Sequence, residues 1–183
     1  MAYISPELAA SRAVSLPELL SSRECRQARQ QAWLARHPTA TLVVLTLVVV
    51  PGAVKDSPMT RRVFNLGRQA LQQMYRQQGW LCLQQKTLAL PTGCEGYLAL
   101  QADARAVKEA AIQLEIQQPI GRLWDIDVLT PQGKILSRRE LGLPERNCLL
   151  CNQPAKICAR QQSHSTEQLL NAMERMLNDA LPA

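Results

Sequence analysis

A chain of 183 residues, 46% of them hydrophobic, has room for one domain with a sizeable core, or one domain with a small appendage. Its net charge of +6 favours an anionic partner: phosphates, nucleic acid or an acidic protein surface. One Phe, three Trp and three Tyr argue against single-stranded nucleic acid, which wants stacking platforms.

The N-terminus shows no basic region followed by an apolar one, so no secretory leader is expected. The longest apolar run, Leu42 to Val50, is too short to span a bilayer. A cytoplasmic protein is expected, whose six cysteines serve as thiols or metal ligands.

In chain order, Ser15-Leu16-Pro17-Glu18 opens a helix that runs to about Arg36, with Ser15 as N-cap and a proline in the first turn. Arg23, Arg26 and Arg29 recur at a spacing of three and share a face of it. That stripe reads either as a solvated charged face or as a surface for phosphate or a partner. The β-branched run Leu42–Val50 predicts a buried strand, ended by Pro51-Gly52.

Ser57 then caps a helix with Pro58 in its first turn. Free N–H groups there, flanked by Lys55, Arg61 and Arg62, make either a phosphate cradle or an ordinary basic surface. The helix continues to about Gln78, and Gly79 stops it. Trp80–Leu90 and Tyr97–Leu100 read as a hairpin around the turn at 91–96. Asp103 caps a helix from Ala104 to Gln117, whose Glu109 and Glu115 are either solvated or reach a site.

The run Gly121-Arg122-Leu123-Trp124-Asp125-Ile126-Asp127-Val128 is the most informative stretch. On a strand, positions i and i+2 point to one side, so Asp125 and Asp127 project together. Their repulsion is relieved by a cation. Mg²⁺ suits the need, because it is held by one or two carboxylates plus substrate phosphates. The bland alternative is a solvated strand edge. Pro131–Lys134 reads as a turn and Ile135–Ser137 as an antiparallel return, which seats the pair on a hairpin.

Towards the C-terminus, Cys148, Cys151, Cys158 and His164 compose a Cys₃His set suited to tetrahedral zinc. Reduced thiols packing as small hydrophobes are the alternative. Arg146, Arg160 and His164 are further candidates for phosphate contact. Cys25, Cys82 and Cys94 are scattered and read as structural. Ser165-Thr166-Glu167-Gln168 has capping-box form and opens an amphipathic helix that packs through Leu169, Leu170, Met173, Met176 and Leu177.

Four segments occur in this order: Ser22–Gln27, Pro51–Ser57, Gly121–Thr130 and Arg146–His164. Together they resemble the apo-citrate lyase phosphoribosyl-dephospho-CoA transferase family, also called holo-citrate lyase synthase. The resemblance covers nearly the whole chain, and Gly121–Val128 is its most specific piece. It implies transfer of a phosphoribosyl-dephospho-CoA group from 2′-(5-triphosphoribosyl)-3′-dephospho-CoA to a serine of the citrate lyase acyl carrier (gamma) subunit. Diphosphate is released. Neither nucleic acid nor membrane is an expected partner.

The fold so implied is α+β: a single nucleotidyltransferase-like domain over residues 1–183, with a mixed sheet, flanking helices and a Cys/His-containing segment plus helix at 145–183. By analogy with paired aspartates in nucleotidyltransferases, Asp125 and Asp127 hold Mg²⁺, and either could help deprotonate the serine. Glu115 is a candidate third carboxylate. Arg122, Lys55, Arg61 and Arg62 are the expected phosphate ligands, and Gly121 would let backbone approach a phosphate. The broader nucleotidyltransferase pattern sets a Gly-Ser or Gly-Gly turn a helical turn or more before the aspartates, whereas Gly121 stands four residues before Asp125. The arginine stripe of the first helix suits docking of an acidic carrier.

Two other readings compete. One is the analogous synthase for the malonate decarboxylase carrier, with the same chemistry. The other is a zinc-stabilised module binding nucleic acid or an acidic partner, which leaves the aspartate pair without a role.

Overall fold

Side-chain caps start four of the helices, at the residues that the sequence nominates. The computed structural model describes residues 1–48, 50 and 52–181. Among them are α1 (Leu16–Arg36), β1 (Thr41–Leu47), α2 (Pro58–Gln77), β2 (Leu81–Leu88), β3 (Glu95–Gln101), α3 (Ala104–Gln117), β4 (Trp124–Leu129), α4 (Ala155–Gln161) and α5 (Thr166–Ala180). Ser15, Ser57 and Ser165 form reciprocal capping boxes with Glu18, Thr60 and Gln168, and Asp103 accepts from the Ala106 N–H. Each cap satisfies amide donors that the first helical turn leaves open.

The four strands lie in the order β2-β3-β1-β4. Every pairing is antiparallel, which corrects the expectation of a mixed sheet. The helix connections do join strands that run the same way: β1 with β2 through α2, and β3 with β4 through α3. However, β3 is inserted between the first two and β1 between the second two. No parallel neighbours result. This β-α-β-β-α-β order is the split, ferredoxin-like arrangement, and the α+β class stands.

The sheet separates two apolar layers. On one face Val43, Leu45, Leu98, Leu100, Trp124, Ile126 and Val128 pack with α2 (Val63, Phe64, Leu71), α3 (Val107, Ala111) and α5 (Met173, Leu177). On the other face Leu42, Val44, Tyr97, Ala99 and Leu129 pack with Trp33 of α1. The Trp33 and Tyr97 rings stack there with centroids 5.7 Å apart.

Local differences from the sequence reading have physical causes. β1 ends at Leu47, and the next amide, of Val48, turns away to the Leu123 carbonyl at 2.9 Å. Val49 and Pro51, expected in the strand end and the turn after it, lie outside the described residues. The return strand at 135–137 reduces to one bridge, Leu129 with Ile135. α4 was not foreseen, because Pro154 at its start offers no side-chain cap. Among the described residues no helix is long and apolar enough to cross a membrane.

Candidate functional site

β4 sorts its side chains as the period of two requires. Trp124, Ile126 and Val128 are buried in the main core, while Asp125 and Asp127 are part-exposed on the α1 face of the sheet. Across the ladder Asp125 stands opposite Thr46 and Asp127 opposite Val44. The two carboxylates are therefore neighbours on one rigid strand, as the sequence reading expected.

Their electrostatic setting is unequal. Burial, and then the charge of Asp125, push the Asp127 carboxyl above the usual carboxylate range. Lys108, Arg26 and Arg146 act in the opposite sense without cancelling it. Lys108 reaches β4 from α3, is buried, and donates to the Ile126 carbonyl at 2.8 Å. Burial pulls its ammonium below the ordinary lysine value. Arg146 donates to the Trp124 carbonyl at 2.9 Å, and its Nη1 lies 3.9 Å from the Asp125 carboxylate.

Asp125 opens into a cleft of about 400 Å³, lined also by Thr46, Arg23, Arg26 and Lys55. The Lys55 ammonium bonds the Val50 carbonyl, and burial lowers its affinity for the proton. Cys94 lines the cleft too, but burial pushes its thiol up to about 12, so it is no nucleophile at neutral pH.

The arginine stripe of α1 is turned inward in large part. Arg26 bonds Glu95 at 2.9 Å, and Arg29 bonds the same carboxylate at 2.8 Å and the Tyr97 hydroxyl at 3.1 Å. The three therefore do not form one exposed stripe, because a buried carboxylate demands compensating charge and takes two of the three guanidiniums. Arg23 alone of the three stays exposed, at the cleft wall.

A second, larger concavity of about 940 Å³ lies beyond residues 48 and 50, and Arg122, Arg138 and Arg146 line it. Glu115, buried at its edge, gives both oxygens to arginines: to Arg138 at 2.7 Å and to Arg146. It is thus an arginine clamp and has no free oxygen for a third metal-ligand role. Arg122 donates to the carbonyls of Asn147 and Cys148.

Three more expected phosphate contacts are placed elsewhere. Arg61 is buried in a two-pronged ion pair with Asp56, at 2.6 and 2.7 Å, and also donates to the Ser5 carbonyl. Its neighbour Arg62 is exposed on α2, beside Glu7 and off both concavities. Gly121 sits in a 3-10 turn, Pro119–Leu123, where an added Cβ would come within 2.5 Å of the Leu114 carbonyl oxygen. Its missing side chain lets the turn press on α3, not on a phosphate.

Cys148, Cys151, Cys158 and His164 converge so that their ligand atoms all lie within 4.8 Å of one another. The Cys148 and Cys158 sulfurs are 3.3 Å apart, and His164 Nε2 is 3.3 Å from the Cys151 sulfur. The cluster can hold a metal ion, and it forms one wall of the larger concavity.

Residue-by-residue reading missed Thr46, Lys108 and Glu95. The signals were present: a lone threonine inside the run LVVLTLVVV, a lysine on the apolar side of α3, and a single acid where the hairpin enters β3.

The family model described as apo-citrate lyase phosphoribosyl-dephospho-CoA transferase matches residues 14–180. Similar proteins bearing that name include those of Escherichia coli O7:K1 (strain IAI39 / ExPEC) and Shigella boydii serotype 18 (strain CDC 3083-94 / BS512). Each is 55% identical to this chain over 177 residues, which is 97% of the chain and 96% of the relative.

Proposed function

We propose a reaction on one premise: the chain belongs to the apo-citrate lyase phosphoribosyl-dephospho-CoA transferase family, and is therefore a transferase. Its donor is the triphosphate 2′-(5-triphosphoribosyl)-3′-dephospho-CoA. Its acceptor is a serine hydroxyl of the citrate lyase acyl carrier subunit. The serine hydroxyl gives its proton to a carboxylate of the Asp125/Asp127 pair, its oxygen bonds to the α-phosphorus, the bond from that phosphorus to the bridging oxygen breaks, and diphosphate departs.

The observation that carries the site is the same-face pair Asp125 and Asp127, of which Asp125 lines a cleft that also presents Lys55 and Arg23. The pair fits a divalent cation: burial first and then the charge of Asp125 raise Asp127, and an ion between the carboxylates would relieve the repulsion. Asp125 and Asp127 would hold Mg²⁺, which when bound supplies charge neutralisation on the transferring phosphate and the departing diphosphate. Lys55 and Arg23 attract and orient the phosphates around that centre. Arg146 holds β4 in place from behind Asp125.

We assign zinc to Cys148, Cys151, Cys158 and His164. Four protein ligands fill a tetrahedral shell and leave no open position, so the role is structural. We take residues 1–183 as one transferase domain, supported by the packing of Met173 and Leu177 into the main core. Six cysteines outside any disulfide suit a cytoplasmic setting.

The test is the intact mass of apo carrier after incubation with the enzyme, the triphosphate donor and Mg²⁺. A gain equal to the phosphoribosyl-dephospho-CoA group is expected with wild type and not with Asp125→Asn/Asp127→Asn. No gain with wild type on the citrate lyase carrier, but a gain on the malonate decarboxylase carrier, would overturn the acceptor. A gain with both proteins would remove the aspartates from the reaction.

A further inference from the structure

Two concavities share one wall. Val48 and Val50 line both the Asp125 cleft and the 940 Å³ cavity. The cleft alone, at about 400 Å³, stands near the lower end of the range of small-molecule sites. The donor is far larger, because beyond its triphosphoribosyl arm it carries adenosine, a diphosphate bridge and a pantetheine chain. The larger cavity falls inside the size range of small-molecule sites, roughly 300–1,000 Å³.

Its lining has two characters. Val48, Val50, Leu149 and Leu169 supply apolar surface. Against them stand Arg122, Arg138 and Arg146, with Glu115 and Glu145 as the acidic counterparts. Glu115 is shared by Arg138 and Arg146, and Glu145 is taken by Lys156 at 3.4 Å. Among the described residues Arg122 meets only backbone carbonyls. More guanidinium than carboxylate charge therefore faces the cavity, beside apolar walls. That combination selects an anion attached to a large nonpolar body.

We propose that this cavity holds the dephospho-CoA portion of the donor, with Arg122 and Arg138 on its diphosphate bridge, while the triphosphate reaches past residues 48 and 50 to Asp125. The proposal rests on the reaction inferred above and adds where the donor's bulk is bound. Arg146 links the two subsites: one guanidinium nitrogen bonds Glu115 in the cavity, and the other bonds the Trp124 carbonyl, 3.9 Å from Asp125. The Cys₃His cluster becomes the outer wall, and Arg122 is tied to it through the Cys148 carbonyl. A correctly seated cluster thus sets the position of a donor-binding cation.

The probe is 3′-dephospho-CoA itself, titrated calorimetrically into the full chain, since it lacks the triphosphoribosyl arm. Saturable binding at one per chain is expected. Arg122→Ala should weaken it about tenfold or more, the worth of one charge-assisted hydrogen bond. Ala159→Trp should weaken it as well, because Ala159 is an exposed position on the cavity wall whose enlargement fills space without touching the core. Arg62→Ala, off both concavities, should leave it unchanged. Asp125→Asn/Asp127→Asn should also keep it, because those residues serve the other subsite.

Binding by wild type that is indifferent to both Arg122→Ala and Ala159→Trp would overturn the proposal, as would no binding at all. The two levels fail separately. If dephospho-CoA binding depends on Arg122 but no carrier gains mass, the reaction is wrong and the cavity assignment survives. If carrier is modified and Arg122→Ala leaves the KM for the donor unchanged, the reaction survives and the cavity assignment is wrong.

Discussion

Glu95 of β3 and Arg29 of α1 meet at 2.8 Å, and the Glu95 side chain is only 1% exposed. Arg26 completes the arrangement from the other carboxylate oxygen. α1 is therefore fastened to the sheet by charge at its middle and by the Trp33–Tyr97 stack near its C-terminal end. The same contact borders the cleft, because Arg26 lines it beside Asp125.

Glu95→Ala removes the shared acceptor and leaves two partly buried cations without their counter-charge. The arginines are 28% and 29% exposed, so water softens the loss. A destabilisation of about 2–3 kcal/mol is expected, seen as a lower urea midpoint at constant m. A midpoint within error of wild type would mean that the pair contributes nothing net. Glu95→Gln should fall between the two, since it keeps one acceptor and loses the charge.

Asp127 gives a pH dependence of definite sign. Its native carboxyl titrates above the unfolded one, so between those two values the folded state binds more protons. Stability contributed by this group is lost as pH rises through that window, just above the ordinary aspartate range, and stays lost at neutral pH. Asp127→Asn should therefore be more stable than wild type at pH 7, and the advantage should vanish by about pH 3, below the unfolded value. Mg²⁺ should narrow the pH 7 gap by stabilising wild type only, by RT ln(1 + [Mg²⁺]/Kd). A Mg²⁺-induced rise in Tm that is equal in the two proteins would place the ion elsewhere.

Much of this fold was legible from the chain. The capping residues Ser15, Ser57, Asp103 and Ser165 are local signals read by local rules. Asp125 and Asp127 were legible because a period of two fixes their common face before any partner is known. What failed was non-local. Nothing near Arg26 and Arg29 in the sequence says that Glu95, 69 and 66 positions on, will take both. Arg61 shows how a residue beside a helix start can be consumed by an acid five positions away. The sheet's pairing depends on which strand is inserted between which, and periodicity carries no such information.

The Cys₃His cluster predicts metal content. Protein purified without chelator should carry about one zinc per chain, and Cys148→Ser or Cys158→Ser should lose it together with thermal stability. Because Arg122 bonds the Cys148 carbonyl, those variants should also raise the KM for the donor more than they lower kcat. Metal-free protein whose three cluster cysteines react freely with a thiol reagent, at unchanged Tm, would return the cysteines to plain packing.

Gly121 separates two roles that the sequence alone left joined to phosphate. A Cβ at this position would meet the Leu114 carbonyl oxygen at 2.5 Å and the Glu115 Cα at 2.9 Å, both backbone atoms that cannot swing aside. Gly121→Ala must therefore push the 3-10 turn away from α3, at an expected cost of about 1–3 kcal/mol. The displacement would be felt at Glu115, and through Arg146 at the carbonyl preceding Asp125. The expected signature is a lower denaturation midpoint together with a reduced kcat and a raised KM for the donor, since the displaced turn carries Arg122. If the glycine served close approach of backbone to a phosphate, the KM would rise with an unchanged midpoint. That outcome would put the Gly121 backbone itself against a phosphate, and the packing argument for Gly121 would fall.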